Sequence, residues 1–247
     1  MAFVHGKDGK VMMNYASVSA DIRQWSAMFK RNYADTTALQ DSGVKNILGH
    51  HEGTISAQGH FDSSASRLVQ IITDAANDGA ANLVNTDNGM NVTILPEGDA
   101  IGKTAIFGSC DIEEFEVESE VDDAVKVSFE GMADNMVDMG VSLHALGAET
   151  ADANHTSVDN TTSTANGGAA MLHVTSVSAS DSIIVKVQHS VDDSVWADLI
   201  TFTSFTAVGS ERKELAAGTT VNRYVRANTD VTGTGVSISY QMSFARR

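Results

Sequence analysis

The sequence predicts a mainly β protein: an N-terminal β-sandwich/barrel with one packed α-helix, followed by a C-terminal antiparallel β-sandwich. Three observations lead there. Residues Glu52–Phe61 alternate strictly, with Ile55, Ala57, Gly59 and Phe61 opposing Thr54, Ser56, Gln58 and His60, the period of a half-buried strand. Residues 171–244 break into short alternating segments at about ten-residue spacing, as small antiparallel sandwiches do. Only one stretch, Ser64–Ala76, carries a helical stripe, formed by Ala65, Leu68, Val69, Ile72 and Ala76.

Taken in order, residues 1–22 predict an arm with a short strand near Val11–Tyr15. Arg23–Tyr33 predicts a strand whose Trp25, Ala27, Phe29 and Tyr33 share one face. Asp35–His51 then breaks every period and contains Gly43 and Gly49; it reads as a long loop of the kind that usually carries function. After the alternating strand, Asp62 or Ser63 caps the helix and Gly79 ends it. Residues 77–92 are turn-rich. Asn91–Leu95 predicts a strand stopped by Pro96 and Gly98, Lys103–Cys110 leads into an acidic hairpin, and Ser142–Ala148 closes a first domain, 1–148. Residues 149–169, rich in Ser, Thr, Asn, Ala and Gly, predict a linker. A second domain, 170–247, then presents strands at Met171–Val177, Ile183–His189, Val195–Phe202, Thr219–Ala227 and Val236–Phe244, with Trp196 placed in its core.

The hairpin, DIEEFEVESEVDDAVKVSFEGM (111–132), has the most unusual pattern. Glu114, Glu116, Glu118 and Glu120 share one strand face while Phe115, Val117 and Val121 occupy the other. After a turn at Val121–Ala124, Val125, Val127 and Phe129 oppose Lys126, Ser128 and Glu130. Glu is a poor strand former, so local preference does not explain the ladder. Carboxylates about 7 Å apart repel by roughly 0.6 kcal/mol in bulk water, further screened over a Debye length of about 8 Å. Such a face is tolerable when wet and not when dry. It fits a plain solvated sheet or a surface that repels a polyanion; a calcium site would need looped, bent carboxylates rather than a straight ladder.

Charge sharpens the choice. The chain of 247 residues has a formal net charge of −16. Residues 1–150 hold 23 acids against 9 Lys/Arg (net −14), while 151–247 hold 9 against 7 (net −2), so the two regions differ in electrostatic character. So acidic a chain does not bind nucleic acid by releasing counterions. A single cysteine, Cys110, excludes an intrachain disulfide and reads as a small buried hydrophobe. The N-terminus lacks a signal-peptide pattern and no apolar run approaches a membrane span, which predicts a protein made in a cytoplasm, with no membrane insertion. No residue falls in a catalytic or metal motif and no cofactor is predicted: there is no Gly-x-Ser-x-Gly elbow or phosphate-cradling loop, and His50, His51 and His60 lie on extended chain, where adjacent side chains diverge.

Residues 23–61 carry a resemblance. A strand ending at Tyr33-Ala34, the loop DTTALQDSGVKNILGHH, then EGTISAQGHFD and a helix resemble, as an ordered set, the major tail (tail tube) proteins of long-tailed bacteriophages. The similarity covers roughly residues 10–145. QHSVDDSVWADLITF (188–202) followed by VNRYVRA (221–227) is similar to the extra outward-facing β-sandwich that some of these proteins carry. His50-His51 departs from the family pattern.

The resemblance implies a structural virion protein, not an enzyme, made in the host bacterial cytoplasm and located in the virion tail. It implies hexameric rings stacked into a tube, with tape measure and tail terminator proteins as partners, and DNA passing through without specific binding. It makes Glu114, Glu116, Glu118, Glu120 and Glu130 candidates to face the lumen, the competing orientation putting this face outside, under solvent or the second domain. It also makes the loop containing Asp35, Thr36, Thr37, Asp41, Ser42, Gly43, Val44 and Lys45 an inter-subunit or inter-ring contact. The alternatives are a capsid decoration protein and a host- or carbohydrate-binding adhesive module built on the C-terminal sandwich.

Overall fold

The computed structural model describes residues 6–62, 64, 68–73, 89–178, 181–233 and 236–247. Within these, a short 3-10 turn (Gly6–Asp8) precedes β1 (Lys10–Met13), β2 (Ala16–Ser17), β3 (Ile22–Asp35) and β4 (Asn46–His60). Helix α1 (Leu68–Thr73) follows, then β5 (Met90–Leu95), β6 (Thr104–Glu118), β7 (Lys126–Ala133) and β8 (Asp138–Glu149). The remaining strands are β9 (Ala153–Asn154), β10 (Val158–Asp159), β11 (Gly168–Val177), β12 (Ser182–Ser190), β13 (Ala197–Thr201), β14 (Gly209–Glu214), β15 (Tyr224–Thr232) and β16 (Ile238–Arg246). The fold is mainly β, as the alternating segments predict. Six residues of the predicted helix are seen; its flanks and the turn-rich segment 77–88 lie outside the described residues.

An eleven-stranded antiparallel sheet forms the backbone of the molecule, in the order β14-β11-β16-β8-β6-β5-β1-β2. Strand β6 serves two layers. Its first half pairs with β5 and β8, and from Cys110 onward it pairs with β7, which continues through β4 to β3. A second sheet, β10-β15-β12-β13 with β9 also on β15, covers the C-terminal part.

Three cores follow from these layers. Ile55, Ala57, Val127 and Phe129 on the inner faces of β4 and β7 pack with Leu68, Ile71 and Ile72 of α1 and with β1 and β5. Leu172, Val174, Tyr240 and Met242 of the large sheet pack against Ile183, Val185, Val187 and Val225 of the small one. The third core joins Met12, Leu95, Ala105 and Phe107 to Ala169, Met171 and Ala245, from opposite ends of the chain. Each fully buried Val, Leu, Ile, Phe or Met side chain among these contributes roughly 1.5–3 kcal/mol of transfer free energy.

Three expectations are corrected. Residues 149–169 are not an open linker: β9 and β10 pair with β15, and Thr164 bridges to Val221. Short polar strands at a sheet edge lack the alternation that identifies buried ones, and the same reason hid β14, GSERKE, which caps the large sheet with charge. The division at 148 falls within β8, and β8 pairs directly with β16, so the sheet crosses the predicted boundary. At that seam Gly140 lies so close to Phe244 that an added Cβ would meet its carbonyl oxygen at 2.1 Å. Trp196 is half-buried and outside the sandwich core, with the Arg226 guanidinium 4.1 Å above its ring.

Candidate functional site

The four strands singled out by alternation come together as one sheet in the order β3-β4-β7-β6. Register fixes its faces. Phe115 pairs with Phe129, Ala57 with Phe129, and Trp25 with Ala57, all turned toward the core. On the opposite face, Glu114, Glu130, Ser56 and Ser26 form one cross-strand row, and Glu116, Ser128, Gln58 and Gln24 the next. A third row ends in Glu118, Lys126 and His60. Glu114, Glu116, Glu118 and Glu130 are exposed, as the ladder reading requires of any wet face. Glu120 lies past the end of β6, in the exposed turn before β7. A concavity of about 240 Å³ opens on this face between Gln24, Ser56, Gln58, Glu114, Ser128 and Glu130. Lys126 is drawn to Asp123 at 2.9 Å.

The sheet has two open edges. Among the described residues, β3 pairs only with β4, and residues 111–118 of β6 pair only with β7.

The predicted loop Asp35–His51 is mostly a hairpin arm. Strand β4 begins at Asn46 and continues the pairing with β3, Tyr33 against Leu48 and Ala34 against Ile47, leaving a tip of residues 36–45. Alternation failed to show this because Asn46–His51 lies beyond the body of the protein, where neither face is buried and no period is selected; a bulge between Arg31 and Tyr33 further shifts the register. The apolar face of β3 simply runs on past its core. Trp25 and Ala27 pack inside, while Phe29 is 48% and Tyr33 62% exposed. Ile47 and Leu48 are exposed by 61% and 54%. The arm is held by a Lys30–Glu52 pair at 2.9 Å and by Asn32 donating to Glu52, and these contacts keep the Glu52 carboxyl below its usual range.

The tip is locally ordered by its own side chains. Asp35 accepts from the Thr37 hydroxyl at 2.6 Å and the Thr37 amide at 2.8 Å, which lowers its pKa. Asp41 accepts from the amide of Ala38 at 2.7 Å and pairs with Lys45, lowering its pKa through the lysine first. Thr36 and Lys45 are joined by an amide–carbonyl bond of 2.8 Å. Ser42, Gly43 and Val44 stand exposed at the apex, and nothing lies within 4 Å of a Cβ at Gly43. These turns put Leu39 and Val44 fully or largely in solvent.

His50 and His51 are exposed on the arm, apart from His60 on the body. Sequence reasoning missed a different cluster: His144, Glu149 and His155 converge. His144 and Glu149 are five residues apart on β8, an odd spacing that places side chains on opposite faces of a regular strand. A bulge near Ala145-Leu146, where three residues of β8 span two of β16, reverses the parity.

No known family model matches the chain, and no curated protein does. Alignments with solved structures are partial in fold and low in identity. A chain of the native gene transfer agent virion aligns over 55% of this chain and 97% of its own at 16% identity and a TM-score of 0.39. The SPP1 tail tube aligns over 55% and 78% at 12% identity and 0.39. The SPP1 Dit hub protein aligns over 96% of this chain and 99% of its own, at 12% identity and 0.36.

Proposed function

We propose that the protein is a tail tube subunit, which polymerises as stacked rings into a hollow conduit for DNA. One combination carries the reading: among the described residues, the sheet β3-β4-β7-β6 has two open edges, an acidic outer face and an arm whose apolar side chains are left uncovered. An isolated protein gains nothing from any of the three. Open edges and bare apolar arms are aggregation hazards unless a specific partner covers them. A head-to-tail contact between β3 of one copy and β6 of the next is heterologous, and such contacts generate rings when the rotation closes. Six copies of a four-stranded sheet, with strands spaced about 4.8 Å and tilted about 40°, give a backbone diameter of about 48 Å and a bore near 40 Å, wide enough for a duplex.

In such a ring Glu114, Glu116, Glu118, Glu120 and Glu130 line the lumen and repel phosphate, so that DNA slides without sticking. The arm tip, from Asp35, Thr36 and Thr37 to Asp41, Ser42, Gly43, Val44 and Lys45, reaches the neighbouring subunit or ring. The second sheet and its sandwich face outward. Tape measure and terminator proteins set the length, and the virion tail is where the subunit resides.

Negative-stain electron microscopy of the concentrated protein, with and without a tail initiation complex, tests this. Hollow tubes or six-fold rings with a bore near the estimated width are expected. The triple variant Phe29→Ser, Tyr33→Ser, Leu48→Ser should remain folded and monomeric. Discrete oligomers of another symmetry would favour a capsid decoration protein, and tubes formed undiminished by the triple variant would remove the arm from the contact.

A further inference from the structure

We propose that His144, Glu149 and His155 form a binding site for a divalent transition-metal ion, zinc first among them, which fastens the 149–159 segment to the body of the protein. One ligand atom from each of His144, Glu149 and His155 lies within 4.8 Å of the other two. Glu149 Oε1 is 2.9 Å from the Nε2 of His144 and 3.8 Å from the Nε2 of His155. Ligand atoms around tetrahedral zinc, at bonds of 2.0–2.2 Å, are separated by about 3.4 Å, midway between those two distances. The two edges that meet at Glu149 thus bracket the tetrahedral value, and the His144–His155 edge lies within 4.8 Å.

The hydrogen-bond geometry also leaves a place for a cation between His144 and Glu149. The Nδ1 of His144 lies 3.1 Å from the backbone carbonyl of Tyr240, an acceptor only, so Nδ1 carries a hydrogen and donates it. In the neutral ring Nε2 is then a lone pair, and it faces a carboxylate oxygen at 2.9 Å, lone pair to lone pair. A second proton on His144 relieves that contact alone. A divalent ion relieves it and also engages His155, whose ring centroid is 4.4 Å from that of His144. A metal-bound imidazole that donates its other N–H to a backbone carbonyl is the usual outer-shell arrangement.

The surroundings are preorganised. The His144 ring stacks on Tyr240 with centroids 3.9 Å apart. His155 is placed by its amide, which donates to the Ala227 carbonyl at 3.0 Å, and its Nε2 lies 3.0 Å from Thr229 Oγ1 and 3.1 Å from the Tyr240 hydroxyl. Metal binding at Nε2 replaces those two hydroxyl contacts, and a water takes the fourth position. Side-chain exposures of 7%, 13% and 20% for His144, His155 and Glu149 leave a site that is sheltered but reachable. Two imidazoles and one carboxylate favour zinc over magnesium or calcium, which take all-oxygen shells.

The experiment uses the full-length chain stripped with EDTA and titrated with zinc by calorimetry, followed by thermal melting, with cobalt(II) as a spectroscopic probe. One saturable site per chain is expected. At free zinc a hundredfold above Kd the folded-to-unfolded ratio should rise about a hundredfold, seen as a higher Tm. Cobalt should give the intense visible bands of a tetrahedral centre in the wild type, a readout that needs no variant. Glu149→Gln should weaken binding at least tenfold, and His155→Ala should abolish it while His50→Ala/His51→Ala leaves it intact. The proposal is overturned if zinc leaves Tm unchanged, if cobalt shows only a weak octahedral spectrum, or if binding survives His155→Ala.

Discussion

His173, near the middle of β11, is enclosed on every side, with Nδ1 2.6 Å from the Asn14 carbonyl and Nε2 2.7 Å from the Thr93 hydroxyl. Since a carbonyl only accepts, Nδ1 donates to Asn14 and Nε2 accepts from Thr93, which specifies the neutral ring. Burial drives its pKa down to about 4, against the hydrogen bond to Asn14. The unfolded chain takes up a proton below its ordinary pKa of about 6.5, whereas the folded chain resists until about 4. Stability from this group is therefore complete above pH 6.5 and lost as pH falls toward 4, by about 3 kcal/mol at most. Urea denaturation at pH 7.5 and pH 4.5 should show that loss. The His173→Gln variant, able to donate and accept at the same places, should be less pH-sensitive than the wild type, and an identical pH slope in the two would refute the assignment. Cys110 behaves as its lone presence in the sequence implies: it is buried, and burial pushes its thiol up to about 12. His173, in contrast, was illegible in the sequence, because it lies on β11 while its two partners come from the β1–β2 turn and β5, and nothing local links them.

At the scale of elements, the sheet β3-β4-β7-β6 was legible because burial on one face alone imposes a period of two on Trp25-Ala27, Ile55-Ala57 and Val127-Phe129; Phe115 continues it on β6, while Val117, 49% exposed, lies beyond the core. The arm was not legible as strand because solvent surrounds it, and the bulge in β8 was not because a parity shift has no residue signature at Ala145-Leu146. Two predictions belong here. Replacing Ala38–Val44 by an Asn-Gly turn removes only self-contained hydrogen bonds of the tip, so the melting temperature should change little while polymerisation is lost, as measured by sedimentation. Tubes from the shortened arm would sink its role in the contact. Changing Glu114, Glu116, Glu118 and Glu120 together to Gln removes repulsions of roughly 0.6 kcal/mol per neighbouring pair, so the subunit should be no less stable and should still assemble. Its tubes should hold DNA longer, and unchanged ejection kinetics would count against the lumen assignment.

For the whole molecule, the question is how many units unfold. Composition divides the chain at 148, and the charge asymmetry between the halves is real. Yet the large sheet crosses that point through β8 and β16, and one core draws Met12, Phe107, Met171 and Ala245 together. Charge reinforces the seam. Asp138, almost fully buried, receives Arg212 at 2.6 Å and Arg247 at 2.9 Å, and Glu214 receives Arg247 at 2.9 Å and Arg212 as well. Removing one partner from such a buried cluster costs about 3–5 kcal/mol because a desolvated charge is left behind. A fragment containing residues 170–247 would lose β8, expose the edge of β16 and strand Arg212 and Arg247 without Asp138. The intact protein should therefore melt in a single transition, with calorimetric and van't Hoff enthalpies equal. The isolated fragment should fail to give a cooperative melt, and Asp138→Ala should lower the Tm of the whole protein without splitting the transition. Two resolved transitions, or a fragment that folds alone, would show that the seam is a docking surface between independent domains rather than a shared core.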